Sequence, residues 1–465
     1  MRRETEKGKR KTNERLVGMN ASFPVSRPSD PSIKPSLASA RESNLQARIR
    51  VMRRVVVTGI GCLAPNGNGR DEFARALREG RSGIGRISLF DPEGLPATIA
   101  AELKGFDPSA HIAARESKHV SRAVPMALAA SAEALEDAGI DPSALTLPEK
   151  RAVGVMLGTG GGPIEFSERM YHLYYTNQIK KASVYAIPSG TIGTLSSEIS
   201  MRFGLRGPSH VISTGCTSSM DALGYAFRSI RFGAGDILLC GGVDATVVRG
   251  IMEGFVMMRV VSTGWEKDPP RASRPFSADR DGFVLGEGAW MFVLEEYERA
   301  LARGAKVYGE IRGYGSTCDA YHRVRLDETG EEPARAMSLA LEEAGLPPDA
   351  VDYLAYHGTS TELNDRVETR AVRQAFGRKA GRLAGSSIKS MIGHPQGACG
   401  AAGVAATLLG MRDSFLPPTV NLEHADPECD LDYVANQARR ASFEHALCNC
   451  IGFGSKNSAL VISQA

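Results

Sequence analysis

From Arg54 onward the chain runs through strand, turn and Ala-rich helix in one order and then repeats that order, a duplication that limits the fold more than any single motif. "RRVVVTGIGCLAPNG" has a counterpart in "KVYGEIRGYGSTCDA", and "MALAASAEALEDAG…RAVGVMLGTG" in "MSLALEEAGLPPDAVDYLAYHGT". "SHVISTGCTSSMDALGYAFRSI" stands opposite "GSSIKSMIGHPQGACGAAGVAATLL", and "ILLCGGVDATVV" opposite "NCIGFGSKNSALVI". Apolar strand-like runs alternating with helical stretches predict an α/β layered fold. The expected halves are residues 52–303 and 304–465. If they pack around a pseudo-two-fold axis, the turns holding Cys216 and His394 meet near the centre, and one site draws on both halves.

At 465 residues and 42% apolar content the chain can bury a large core. Its eight cysteines are scattered, with no signal-peptide apolar region and no apolar stretch of about 18 residues that could span a membrane. These features predict a reduced, cytoplasmic protein. Residues 1–51 hold twelve Lys/Arg against five Asp/Glu, so the net charge of +3 conceals a basic leader and a remainder at −4. Polar and rich in Pro and Ser, the leader is expected to be disordered. It reads as an extension or an over-extended start, because Met52 directly precedes the first strand and the acidic residues suit a transit peptide poorly.

Cys216 lies in "VISTGCTSSMDALGYA", where an apolar run turns through Thr214 and Gly215. Met220, Leu223, Phe227 and Ile230 follow at helical spacing, with Gly233 as a C-terminal cap. The thiol therefore sits at a helix N-terminus. There free backbone N–H groups and the macrodipole are expected to favour thiolate and to stabilise an oxyanion. The alternative is a small buried hydrophobe. His357 and His394 each follow an apolar run and stand in Gly-rich turns, the setting in which functional side chains are presented. His111, His119, His172, His210, His322, His424 and His445 lack that setting.

Other motifs fit less well. Gly59-x-Gly61-x-x-Ala64 could open a dinucleotide fold, but Pro65 and "NGNG" follow where a helix should run. "GTGGGP" at 158–163 lacks the Lys and Ser/Thr of a phosphate loop and reads as a tight turn. His445, Cys448 and Cys450 in "HALCNC" read as strand core without a fourth zinc ligand. A cysteine hydrolase remains open on Cys-plus-His chemistry alone.

Six ordered motifs carry a resemblance over roughly residues 53–463: "VVVTGIGCLAPNG", "GLRGPSHVISTGCTSS", "RPFSADRDGFVLGEGA", "HGTSTELNDRVE", "IKSMIGHPQGACGAAG" and "IGFGSKNSALV". The chain resembles the decarboxylating β-ketoacyl-acyl carrier protein synthases, particularly ketoacyl synthase II, and is similar to the ketosynthase α subunits of type II polyketide systems. The resemblance implies a thiolase-like fold in five α-β-α-β-α layers. It makes Cys216 the acyl-accepting nucleophile, His357 and His394 the histidine pair and Lys389 the active-site lysine. Asp365 and Glu368 become a supporting acidic pair, and Phe453 the gating residue that shares an oxyanion hole with Cys216.

Further implications are acyl carrier protein as partner, no cofactor beyond its phosphopantetheine, no metal, and a homodimer or a heterodimer with a homologous chain-length subunit. The implied reaction elongates an acyl chain with malonyl units, in fatty acid synthesis or in a polyketide pathway. A non-condensing partner subunit is disfavoured by the intact Cys216, His357 and His394. Two departures stand out: Ser455 where relatives often carry Gly, expected to alter loop mobility, and Trp290, expected to change packing.

Overall fold

A computed structural model describes residues 52–465; the reading of residues 1–51 lies outside the described residues. The first half supplies strands β1 (Val55–Ala64), β2 (Val153–Gly158), β3 (Ser209–Ile212), β4 (Ile237–Asp244) and β5 (Gly288–Glu296). The second supplies β6 (Gly309–Cys318), β7 (Tyr353–Ala355), β8 (Ala384–Ser386), β9 (His445–Gly452) and β10 (Lys456–Ser463).

The strands follow the continuous order β8-β7-β9-β10-β6-β1-β5-β4-β2-β3, each half contributing one five-stranded sheet and the two sheets joining edge to edge at β6 and β1. Each half thus follows the same path: first strand, fifth, fourth, second, third. Directions repeat as well: β4 with β5 and β9 with β10 are antiparallel, while β2 and β7 each lie parallel to both neighbours. The halves join where Val55–Val57 of β1 run antiparallel to Gly309–Ile311 of β6.

The layers are defined by what each helix packs against. Helix α1 (Ala123–Asp137) packs on β1 and β5, and α3 (Glu331–Ala344) packs on β6 and β10, as outer layers. Between the sheets lie α2 (Ser218–Arg231) and α5 (Cys399–Asp413). Twelve of the fifteen residues of α5 are buried, as a helix enclosed on all sides requires. A further helix, α4 (Glu362–Phe376), carries the acidic pair of the second half. The five-layered duplicated architecture is the one expected.

The glycines of "VTGIG" and "RGYGS" have a packing role. A Cβ on Gly61 would sit 1.9 Å from the Ala130 carbonyl oxygen, and one on Gly59 2.1 Å from that of Ala134, both on α1. In the second half, Gly313 and Gly315 meet the carbonyls of Ala340 and Ala336 on α3, each at 2.0 Å. Helix and strand approach too closely in both halves for any side chain. Gly61→Ala is accordingly expected to destabilise the protein by about 3 kcal/mol through overpacking, read as a lowered urea midpoint.

That packing also disposes of the dinucleotide reading, since β1 pairs antiparallel with both neighbours and leads into no crossover helix. The "GTGGGP" segment is a turn closed from within. Thr159 Oγ1 and the N–H groups of Gly160 and Gly161 all donate to the Asp244 carboxylate at 2.8 Å. In "HALCNC", His445 Nδ1 pairs with Ser463 Oγ, Cys448 faces Thr407, and Cys450 points elsewhere. Trp290 is fully buried against Phe73, a packing role as expected. Among the described residues no helix is long and apolar enough to cross a membrane.

Candidate active site

Cys216 is held by a turn that cannot relax locally. Gly215 adopts the left-handed region at φ 68, and α2 begins two residues after the thiol. Thr214 and Thr217 hydroxyls both donate to Oδ2 of the buried Asp221 on α2. Its other oxygen accepts from Tyr314 Oη at 2.7 Å and Ser458 Oγ at 2.6 Å, residues of the second half. One carboxylate therefore locks the cysteine turn to the opposite sheet.

His357 follows β7, and His394 lies between the one-turn helix Lys389–Ile392 and α5. Gly393 supplies the left-handed bend at φ 63, and the His394 N–H donates to the Val284 carbonyl at 2.7 Å. The imidazole centroids are 5.4 Å apart and nearly perpendicular, at 85°. Ligating atoms of Cys216, His357 and His394 all lie within 4.8 Å of one another, and all three side chains are buried. They form the floor of a cavity of about 250 Å³ that Phe453, Phe283 and Met258 help to wall. The turns from the two halves thus meet, as the duplication predicted.

The remaining sequence candidates surround this floor. Lys389 donates to the His357 carbonyl and stands 3.4 Å from His357 Nδ1. Glu368, on α4, accepts the backbone N–H groups of His357 at 2.6 Å and Gly358 at 2.7 Å. Asp365 holds the adjoining loop, accepting from the N–H groups of Thr359 at 3.0 Å and Phe276 at 2.9 Å. Phe453 follows β9, and its backbone N–H is directed at Cys216. Ser455 ties this loop down: its hydroxyl donates to the His322 carbonyl at 3.0 Å and faces the N–H groups of Tyr321 and His322. These bonds tether the loop that carries Phe453.

Several site residues carry no sequence signal of their own. Asp221 reads as an ordinary helix residue, and Asn449, donating to Glu368 at 2.6 Å, as one of many strand positions. Cys399 and Cys450 reach His357 from behind, their sulfurs 3.5 Å apart. Only the parallel between β4 and β9, and between α2 and α5, could have drawn attention to them.

Burial dominates the electrostatics. It pushes the His357 imidazole down to about 3, helped by the Lys389 charge, and it lowers His394 in the same direction. Both rings are neutral at neutral pH. The expected thiolate at Cys216 is overturned: burial, reinforced by neighbouring Cys399, pushes the thiol up to about 12. The Phe453 N–H and the Lys389 charge only partly oppose this. A helix N-terminus stabilises an anion by about 1 kcal/mol, too little to offset full desolvation. Burial likewise pushes Glu368 up to about 7 against its three hydrogen-bond donors.

Comparison with known proteins gives the site its setting. Residues 52–300 match the family model of the beta-ketoacyl synthase N-terminal domain, and residues 308–423 that of the C-terminal domain. The chain is 40% identical to 3-oxoacyl-[acyl-carrier-protein] synthase 2 of Synechocystis, covering 89% of this chain and 98% of that protein. It is 39% identical to the tetracenomycin polyketide synthase ketoacyl synthase alpha subunit of Streptomyces glaucescens, covering 89% and 97%. A beta-ketoacyl synthase from Burkholderia phymatum superimposes with a TM-score of 0.82 at 34% identity, over 89% of this chain and all of that one. The ishigamide ketosynthase/chain length factor superimposes equally well, at 0.82 and 33%, with the same coverage. With both family domains matched in order and the curated relatives covered almost end to end, this chain belongs to the beta-ketoacyl synthase family of condensing acyltransferases.

Proposed function

We propose that the protein condenses malonyl-acyl carrier protein with an acyl group carried on Cys216, extending the chain by two carbons and releasing CO₂. The observation that carries this reading is the convergence of Cys216, His357 and His394 within 4.8 Å on the floor of one buried pocket.

Acylation comes first. The Cys216 sulfur attacks the thioester carbonyl of acyl carrier protein, its proton passing to the departing carrier thiol. With the thiol held near 12, proton removal accompanies attack instead of preceding it. The N–H groups of Cys216 and Phe453 receive the developing oxyanion. Malonyl carrier protein then loses CO₂, and the charge left on its thioester oxygen is met by N–H donors of His357 and His394. Lys389, donating beside Nδ1 of His357, leaves that ring's Nε2 carrying the proton, the tautomer an enolate needs. The enolate carbon attacks the acyl-Cys216 carbonyl, the C–S bond to Cys216 breaks as the 3-oxoacyl carrier thioester forms, and the departing thiolate takes up a proton from solvent to restore the thiol. Glu368 and Asp365 act as positioning residues through the backbone of the 357–359 loop.

Neutral donors impose a pH signature. His357 falls from an ordinary 6.5 to about 3 on folding, so the unfolded chain binds more protons between those values. Its contribution to stability is full above pH 6.5 and is lost as pH falls toward 3. Decarboxylation is expected to hold its rate as pH falls through 6.5, while the urea midpoint declines over the same range. A rate that halves at pH 6.5 would mean a titrating imidazole.

The polyketide reading keeps the same chemistry, and relatives of both kinds support it at similar identity. Mass spectrometry of products from acyl- and malonyl-carrier protein decides: one added two-carbon unit supports fatty acid elongation, whereas a poly-β-keto chain supports the polyketide role. The carrier is the proposed partner, with no cofactor beyond its phosphopantetheine and with work in the cytoplasm. A paired state, homodimeric or with a chain-length homologue, is supported by the exposed sheet edge at β3 and by Tyr175, Val184 and Ile187, each more than 80% exposed. The division at residues 303/304 is proposed as the boundary of the two halves, supported by family matches ending at 300 and resuming at 308.

A further inference from the structure

Behind the histidine pair lie two cysteines that the condensing chemistry does not use, facing the Nδ1 edge of His357. Cys399 at the start of α5 and Cys450 near the end of β9 face each other with sulfurs 3.5 Å apart. His357 Nδ1 lies 3.5 Å from Cys450 Sγ and 4.0 Å from Cys399 Sγ. All three are buried, and their donor atoms lie within 4.8 Å of one another. A point equidistant from the three corners lies about 2.1 Å from each, the length of a metal bond to imidazole nitrogen and about 0.2 Å short of one to thiolate sulfur, a gap that a small outward shift of the two sulfurs closes. The Cys216 carbonyl oxygen, 3.3 Å from both sulfurs, caps one side of the triangle as a weak further donor.

We infer that His357, Cys399 and Cys450 form a binding site for a soft monovalent metal ion, Cu⁺. Thiolates select soft ions, and a nearly planar three-donor set suits an ion content with low coordination. Charge fixes the valence. Binding leaves both sulfurs as thiolates, any thiol proton passing to solvent, and the two thiolates cancel one Cu⁺ and the neighbouring Lys389 ammonium. A divalent ion would leave an uncompensated positive charge in a buried site. Lys389 keeps its bond to the His357 carbonyl while its contact with Nδ1 gives way to the metal. Entry runs through the reacting pocket, where Cys216 offers a soft donor beside His357. Elsewhere in the described residues the buried cysteines Cys62 and Cys240 have no comparable His and Cys neighbours.

The test is an anaerobic titration of the full chain carrying Cys216→Ala with Cu⁺ buffered by bicinchoninate, so that the reacting thiol does not count. One equivalent is expected to be retained, with X-ray absorption showing two sulfur neighbours and one nitrogen. Adding Cys399→Ala and Cys450→Ser should weaken retention at least tenfold. If that triple variant does not fold, Cys450→Ser on the Cys216→Ala chain should lose one sulfur neighbour from the spectrum. Retention unchanged by the cysteine replacements, no retention against the competitor, or tighter binding of Zn²⁺ than of Cu⁺ overturns the proposal. Because the titration needs no turnover, its outcome is separate from that of the condensing assignment.

Discussion

Replacing Cys216 with alanine is expected to lower condensation by more than about 10⁴-fold and to abolish covalent labelling by acyl carrier protein, while decarboxylation of malonyl carrier protein continues. The asymmetry follows from the division of labour on the pocket floor. Acyl transfer needs a sulfur that accepts and later releases the chain, and no neighbouring group can replace it within reach of the same oxyanion donors. Cys399 and Cys450 lie behind the His357 ring, with their sulfurs directed at the Cys216 carbonyl. Losing CO₂ requires only the two imidazole donors, which do not depend on the thiol for their protonation state: burial is the first cause of neutrality for both rings. The substitution is also structurally mild, since Gly215 and the Asp221 bonds to Thr214 and Thr217 hold the turn without help from sulfur. The two activities are read separately, by mass shift of the chain and by CO₂ release. Condensation surviving in the variant, or decarboxylation vanishing with it, would sink the proposed roles.

Why some of this was readable in the sequence and some was not has physical causes. The duplication was visible because strand order, close-packed glycines and buried helices must recur wherever the same layers recur; Gly59 and Gly61 against α1 have their equivalents in Gly313 and Gly315 against α3. Cys216, His357 and His394 stood out because each sits in a Gly-rich turn after an apolar run, a local signal. Asp221 gave none, since its partners Tyr314 and Ser458 are far away in the chain and meet it only when the sheets enclose α2. Asn449 is hidden for the same reason. The thiolate expectation failed because it weighed a local effect, the helix N-terminus, without the depth of burial that only the assembled layers determine. The "GTGGGP" turn was recognised as a turn, but its partner Asp244, across the neighbouring strand, was not recognisable.

His394→Ala is expected to have the second-largest effect, and on a different step. In the Cys216→Ala chain, removing this imidazole should lower decarboxylation by about 10²- to 10³-fold, the usual cost of one donor to a developing oxyanion in a dry site. Acyl labelling of Cys216 in the single His394→Ala variant should change by less than about tenfold, since the sulfur and its oxyanion donors remain. The geometry supports treating the ring as a dedicated donor. Its backbone is fixed by the Val284 carbonyl, its face meets the Phe283 ring at 5.3 Å, and among the described residues its Nδ1 has no hydrogen-bond partner. Among the described residues no carboxylate bonds to that nitrogen to make the ring a strong base, which suits a donor to an enolate better than a proton-abstracting histidine. His357 differs, with Lys389 beside its Nδ1 and Glu368 on its backbone. The comparison therefore tests two distinct ways of holding a neutral imidazole. If His394→Ala left decarboxylation intact but blocked acyl labelling, the ring would be acting as the base for Cys216, and its role as an enolate donor would fall.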